Sequence, residues 1–169
     1  QKVFSNKAEK VLIVTPTREL ALQIHEELRD FAKGMGIFSV LTIGGMSMIR
    51  QKNDLRQQFH FVIGTPGRIK DHIQQKNLSL SQFHTVVLDE ADRMVDIGFI
   101  NEIKYFISLL PQNRQSLFFS ATISPKVNEI LRDFVHNAVT VSVKKQETVE
   151  NIHQDIIKVP DKKRKVDQL

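Results

Sequence analysis

The residues best suited to chemistry in this 169-residue chain stand at the end of one short apolar run. Val86-Val87-Leu88 leads into Asp89-Glu90-Ala91-Asp92, three acids within four positions. An apolar, β-branched run of that length predicts a buried strand. Acids at the carboxyl end of a parallel strand face the crevice in which open α/β sheets bind ligands. Two adjacent carboxylates there suit a magnesium-bound nucleotide, one holding the hydrated metal and the other orienting water. For an arbitrary sequence the commoner reading is a solvated loop whose acids cap the next helix. Their setting decides between the two.

That setting is an alternation of short apolar runs with segments of helical period, which predicts parallel strands covered by crossover helices. Val11 to Val14 reads as a buried strand, and Leu20, Ile24, Leu28 and Phe31 keep one face of the next helix apolar until Gly34 and Gly36 end it. Ser39 to Ile43 is the next strand, Gly44-Gly45 a turn, and Ser47 the cap of a polar helix running toward Gln58. Phe59 to Ile63 repeats the strand signal. The helix after it has Thr65 as cap, Pro66 in its first turn, Ile69 and Ile73 on its apolar face and an end near Asn77. Thr85 to Leu88 is a strand, Ile100 to Leu110 an amphipathic helix closed by Pro111, Ser116 to Phe119 a strand and Pro125 to Phe134 a helix. Val139, Val141 and Val143 alternate with polar residues as in a last, half-exposed strand, and Lys144 to Val149 is polar with no periodic apolar face.

Composition bounds the partners. Hydrophobic residues make up 41% of the chain, an ordinary globular share at a length that suits one compact core. Lysines and arginines number 24 against 19 acids, giving a net charge of +5 that favours a polyanionic partner without proving one. The absence of cysteine excludes disulfides and thiolate metal sites. The histidines have no metal-ligand spacing, and His25, His60 and His84 are expected at the surface or its boundary. No apolar run approaches the roughly 20 residues of a membrane helix, so a soluble protein is expected. Gln1 to Lys7 reads as a fragment edge rather than a signal peptide. Asp161 to Lys165 reads as a solvated helix face, ahead of a localisation signal or nucleic-acid patch.

Five stretches together resemble the first-domain motifs of the DEAD-box ATP-dependent RNA helicases, in that family's order and at its usual separations. They are Pro16-Thr17-Arg18-Glu19-Leu20-Ala21, Gly44-Gly45, Thr65-Pro66-Gly67-Arg68, Asp89-Glu90-Ala91-Asp92 and Ser120-Ala121-Thr122. Arg93 to Phe99 also resembles the stretch next to the acidic motif in that family. The resemblance covers nearly the whole chain. It implies an α/β, RecA-like domain of the P-loop NTPase type, three layers about a mostly parallel sheet that lacks the P-loop strand. It further implies a partial first RecA-like domain over residues 1–143, a linker over 144–150 and the start of the second RecA-like domain over 151–169, where Asn151-Ile152 and Gln154 resemble that domain's opening.

The implied activity is an RNA-dependent ATPase that couples ATP binding and hydrolysis to RNA binding and local duplex unwinding. By resemblance Asp89 holds Mg²⁺ through water and Glu90 polarises the attacking water, which makes them the implied catalytic and ATP-binding pair. Asp92 would hydrogen-bond Ser120 and Thr122 and link nucleotide state to domain closure; strand-end capping is the plain alternative for those hydroxyls. Pro16, Thr17, Arg18, Glu19, Gly44, Gly45, Thr65, Pro66, Gly67 and Arg68 would bind RNA. Glycines without a Cβ let backbone N–H groups approach a phosphate, Thr65 and Gly67 lie at a helix N-terminus whose dipole favours anions, and Arg18 and Arg68 add full charges. Such contacts carry little sequence preference and strong salt dependence. Without the resemblance, a salt bridge from Arg18 to Glu19 or Glu26 and an ordinary glycine turn are the simpler assignments.

No Gly-x-x-x-x-Gly-Lys-Ser/Thr loop occurs in the 169 residues, and neither do the family's adenine-reading glutamine motif and arginine finger. The stretch alone is therefore expected to be inactive as an ATPase, and without the P-loop strand Ser116 to Phe119 would have an uncovered edge. A catalytically dead RNA-binding or adaptor domain is the alternative. Expected partners are RNA, ATP and the second RecA-like domain of the same chain, with no membrane. A monomer is expected, in the cytoplasm or, in a eukaryote, the nucleus.

Overall fold

The computed structural model describes residues 9–135 and 138–142. The chain divides into two units, residues 1–138 and 139–169. In the first, five short strands form one all-parallel sheet: β1 (Lys10–Val14), β2 (Ser39–Thr42), β3 (Phe61–Gly64), β4 (Phe83–Leu88) and β5 (Gln115–Phe118). Their spatial order is β2-β3-β1-β4-β5. The central strand β1 reads Lys-Val-Leu-Ile-Val and buries Leu12 and Val14 completely, as a parallel strand covered on both faces must. In register, Val14 lies beside Gly64 on one side and Leu88 on the other, Thr42 beside Gly64, and Phe118 beside Leu88. All five strands therefore release their chains at the same rim.

Among the described residues five helices connect them, α1 (Arg18–Phe31), α2 (Met48–Asp54), α3 (Pro66–Gln74), α4 (Ala91–Ile97) and α5 (Ile100–Leu109), with one 3-10 turn at Leu80–Gln82, and α6 (Pro125–Phe134) follows β5. Alternate strand residues point to opposite faces, and the core splits accordingly. Ile63 and Ile43 pack with Ala21, Ile24 and Leu28 of α1 on one face. Leu12, Val14, Val62 and Val86 pack on the other with Ile69, Met94, Ile103 and Ile130, one each from α3, α4, α5 and α6. Each such fully buried side chain contributes about 1.5–3 kcal/mol toward fastening its helix to the sheet.

Where local chemistry marks a boundary, the expected element forms. Pro125–Phe134 is helical as expected, with Ser124 Oγ accepting from the Val127 N–H at 3.3 Å. α1 ends at Phe31 with Ala32 as its C-cap, before Gly34 and Gly36 turn with φ of +80° and +67°. Four expectations differ. Ser47 caps α2, but the helix stops at Asp54 instead of running to Gln58, because Leu55 turns into the core. Ala91–Ile97 is a helix that the apolar pattern did not mark. Residues 139–142 form no strand; Val139 and Val141 are 91% and 87% exposed and bury nothing that would hold one, while Val143 and the expected linker lie outside the described residues. His60 is wholly buried rather than superficial: its Nδ1 accepts from the Phe38 N–H at 3.0 Å and its ring stacks on Phe38, which fixes the starts of β2 and β3 together. Among the described residues β5 is an edge strand, with Leu117 in it and Phe119 just past its end exposed.

Candidate functional site

Strand order re-sorts the candidate residues. From one edge of the sheet to the other the rim carries Gly44-Gly45 after β2, Thr65 to Arg68 after β3, Pro16 to Glu19 after β1, the acidic turn after β4 and Ser120 to Thr122 after β5. Hydrogen bonds past the strand ends tie neighbours together: Thr65 N–H to Thr42 C=O at 3.1 Å, Thr15 N–H to Gly64 C=O at 3.0 Å, Asp89 N–H to Val14 C=O at 3.0 Å and Phe119 N–H to Leu88 C=O at 2.9 Å. The rim is one continuous, hydrogen-bonded edge.

On its acidic side, Asp89 Oδ1 accepts from the Glu90 N–H at 3.0 Å. Glu90 is left-handed (φ 48°, ψ 51°), which a residue with a Cβ adopts at a cost of about 1–3 kcal/mol and which clusters at functional sites. The bond from the Ala91 N–H to the Phe119 carbonyl, at 3.0 Å, holds it so and sets Glu90 against the turn that carries Ser120. Glu90 Oε2 lies 3.4 Å from Arg93 Nη1, with both side chains exposed, so the pair adds little stability. Asp92 Oδ2 accepts from both the N–H and the hydroxyl of Thr122, each at 2.9 Å, and Ser120 Oγ donates to the Thr122 carbonyl at 2.7 Å. Asp92 thus bonds Thr122 directly, and Ser120 bonds Thr122 in turn.

Burial works to raise the Asp92 pKa, but the hydrogen bonds from Thr122, then the Arg93 N–H and the nearby Ser120 hydroxyl, outweigh it and leave the carboxyl below its ordinary value. A depressed folded pKa gives stability that is present above the unfolded value and is lost as pH falls through the folded one. Asp92→Ala is accordingly expected to cost about 1 kcal/mol near neutral pH, after allowance for solvent screening, and to lose that cost as the pH falls from the unfolded carboxyl value through the lower folded one. Denaturant midpoints of the two proteins across that range measure it; a gap that persists in acid would count against the carboxylate as its source.

On the basic side, Pro16, Thr17, Arg18, Glu19, Gly44, Thr65, Gly67 and Arg68 line one open groove of about 520 Å³. The Arg18 guanidinium lies over the glycine turn: a Cβ on Gly44 would meet its Nη2 at 2.9 Å, and one on Gly45, at φ +79°, its Nη1 at 2.5 Å. With no Cβ on either residue the guanidinium can lie directly against the turn, and the positive φ of Gly45 favours glycine in its own right. Among the described residues Arg18 forms no ion pair with Glu19 or Glu26, so that simpler assignment is set aside. Arg68 Nη1 donates to the Met46 carbonyl at 3.0 Å, and its Nε lies 3.6 Å from Asp71. Thr17 caps α1 by accepting from the Leu20 N–H at 3.3 Å. Thr65 holds the N-cap position of α3 but its hydroxyl makes no capping bond, contrary to expectation; Pro66 has no N–H to offer, and the N–H groups of Gly67 and Arg68 begin the helix without a side-chain acceptor.

Asp71 and Phe99 also line the groove, and sequence reasoning missed both. Asp71 was findable from its i+3 spacing to Arg68. Phe99 was not, because its place depends on how α4 and α5 meet the sheet.

An all-parallel five-stranded sheet with helices on both faces and its loops gathered at the carboxyl rim is an α/β fold of the RecA-like class. Comparison with known proteins makes this specific. Residues 1–130 match the family profile described as DEAD/DEAH box helicase. The chain is 42% identical over 160 residues to the DEAD-box ATP-dependent RNA helicase CshA of Geobacillus kaustophilus, covering 94% of this chain and 34% of that protein. It is 40% identical over 154 residues to the CshA protein of Bacillus cereus, covering 90% and 29%. A crystal structure of a hypothetical ATP-dependent RNA helicase from Sulfolobus tokodaii superposes with a TM-score of 0.73 at 36% identity, covering 80% of this chain and 40% of that one. The chain belongs to the DEAD/DEAH box helicase family, as a DEAD-box first RecA-like domain. It spans about a third of the length of the curated relatives it matches.

Proposed function

We propose that this chain works within an ATP-dependent RNA helicase that couples ATP binding and hydrolysis to RNA binding and local strand separation. One observation carries the proposal: two chemistries are sorted along one rim, acids after β4 beside the hydroxyls of Ser120 and Thr122 after β5, and arginines with glycine backbone N–H groups after β1, β2 and β3. A nucleotide and an RNA strand would meet neighbouring loops that hydrogen bonds already connect.

Mg²⁺ with ATP fits the acidic side. Among the described residues no three potential ligands gather into a cage, and Mg²⁺ needs none, since it keeps several waters and takes one or two carboxylates plus substrate phosphates. Asp89 has one carboxylate oxygen engaged by the Glu90 N–H, leaving the other for a metal-bound water. The metal would supply neutralising charge to the phosphoryl oxygens. Glu90 would orient the attacking water, and Asp92 through Thr122 would convey the state of the site to the loop after β5, toward a second RecA-like domain. On the basic side, Arg18, Arg68 and the N–H groups of Gly44, Gly45 and Gly67 would hold phosphates, with the Thr17 proton still available to donate.

Residues 144–150 would serve as linker and 151–169 as the opening of the second domain, in a monomer working in the cytoplasm. The 169 residues alone are proposed to turn over ATP negligibly, for they contain no phosphate-cradling Gly-x-x-x-x-Gly-Lys-Ser/Thr loop.

The RNA half is tested by salt. Arg18→Ala in the full-length protein is expected to weaken binding about equally for single-stranded RNAs of unrelated sequence, and to lower the slope of log affinity against log salt by about 1. Titrations at several salt concentrations measure it. An unchanged slope would move the RNA strand off this groove.

A further inference from the structure

Behind the Gly44-Gly45 turn runs a buried polar chain that the proposed chemistry does not use. Asn77 Nδ2 stands 3.5 Å from His72 Nδ1, His72 Nε2 stands 3.0 Å from Gln51 Oε1, and Gln51 Nε2 donates to the Ile43 carbonyl at 2.9 Å. One placement of protons satisfies every link: Asn77 donates to Nδ1, Nε2–H donates to the Gln51 oxygen, and the amide nitrogen is thereby turned toward Ile43. His72 and Gln51 are 0% and 2% exposed. Burial first, and Arg68 second, favour the neutral ring that this pattern requires, against a weaker pull from Asp71.

The chain ends at the residue preceding Gly44. On the turn's other side Arg68 Nη1 takes the Met46 carbonyl. The two glycines are thus held by both flanking carbonyls, one from the start of α3 and one from its middle through α2. Across the glycine face lies the Arg18 guanidinium, so a shift of the turn changes its distance from Arg18. Neither Gln51 nor His72 lines the groove.

We propose that Gln51 and His72 are positioning residues for RNA binding, fixing the Ile43 carbonyl and the Gly44-Gly45 peptide at the separation from Arg18 and Arg68 that lets all of them engage the same phosphates. The inference rests on the groove being the RNA surface. A leucine at position 51 keeps the volume but strands two buried polar groups, the Ile43 carbonyl and His72 Nε2–H, so the turn must shift to find water.

The test uses the full-length protein with a fluorescent single-stranded RNA, read by anisotropy, and ATP turnover without RNA. Gln51→Leu and His72→Phe are each expected to raise the RNA Kd about tenfold, with unstimulated turnover and the KM for ATP held within about twofold. The double variant is expected to be no worse than the weaker single, since both cut one chain. His72→Gln, whose amide nitrogen can still donate to Gln51, is expected to recover most of the affinity. Arg18→Ala in the same assay separates the two levels. If it weakens binding while folded Gln51→Leu and His72→Phe bind RNA normally, the positioning role is overturned and the groove stands. If Arg18→Ala is silent too, the groove assignment fails and the inference with it. Should Gln51→Leu fail to fold, His72→Phe gives the same reading. Failure of both to fold, or parallel loss of RNA and ATP affinity, overturns positioning in favour of a general core role.

Discussion

Glu90→Gln in the full-length protein is expected to lower RNA-stimulated ATP turnover about 10²–10³-fold while RNA affinity stays within about twofold. The substitution keeps the shape and leaves the left-handed backbone at this position intact, since that conformation is held by main-chain bonds from Ala91 to Phe119 and from Phe119 to Leu88. Asp89 still receives the residue-90 N–H, and Asp92 still holds Thr122. What changes is confined to the side-chain head: an amide cannot take up a proton or carry the charge that polarises a water. Loss of the Arg93 contact adds little, because both partners are exposed. Single-turnover ATPase assays beside RNA titrations separate the readings. Lost turnover with retained RNA binding supports an enzyme; unchanged behaviour in both would support an adaptor in which the carboxylate is dispensable.

The acidic pair was legible before the fold because its meaning is local. An apolar strand that ends in carboxylates puts them at a sheet edge whatever its neighbours are. The groove was only half legible. Its residues lie at 16–19, 44, 65, 67, 68, 71 and 99, and nothing within those segments says that β2 and β3 stack on one side of β1 while β4 and β5 stack on the other. The family resemblance implied a common role for most of them; the strand order brings them to one groove.

The misses share a cause. Nothing beside His60 or His72 in the sequence marks either as buried, because their burial depends on Phe38 and Gln51, 22 and 21 residues away. A left-handed glutamate is equally invisible, because its strain is tolerated only where distant main-chain bonds insist on it. At Val139 and Val141 the period-two signal was real but had no strand to pair with among the described residues, and alternation alone does not make a strand. α4 escaped for the opposite reason: seven residues that begin inside the acidic motif leave too little apolar pattern to announce a helix, though Ala91, Met94 and Val95 are all buried.

Gly64→Ala is expected to destabilise the domain by about 3 kcal/mol, lowering the melting temperature by about 6–12 °C. Gly64 ends β3 beside Thr42, and a Cβ there would overlap both the Thr42 carbonyl oxygen and its Oγ1. Neither atom can withdraw. The carbonyl accepts the Thr65 N–H at 3.1 Å, and the hydroxyl donates to the Ile63 carbonyl at 3.2 Å inside a fully buried residue. Relief requires β2 and β3 to part at the rim, which displaces Thr65 and the glycine turn together, so the folded fraction should also bind RNA more weakly. Gly67→Ala is the matched control from the same loop: no atom lies within 4 Å of the position its Cβ would take, and its stability is expected to change by no more than about 0.5 kcal/mol. Denaturant melts of the two variants decide the matter. Equal midpoints would mean that the end of β3 yields to a methyl group, and that the rim is softer than its hydrogen bonds require.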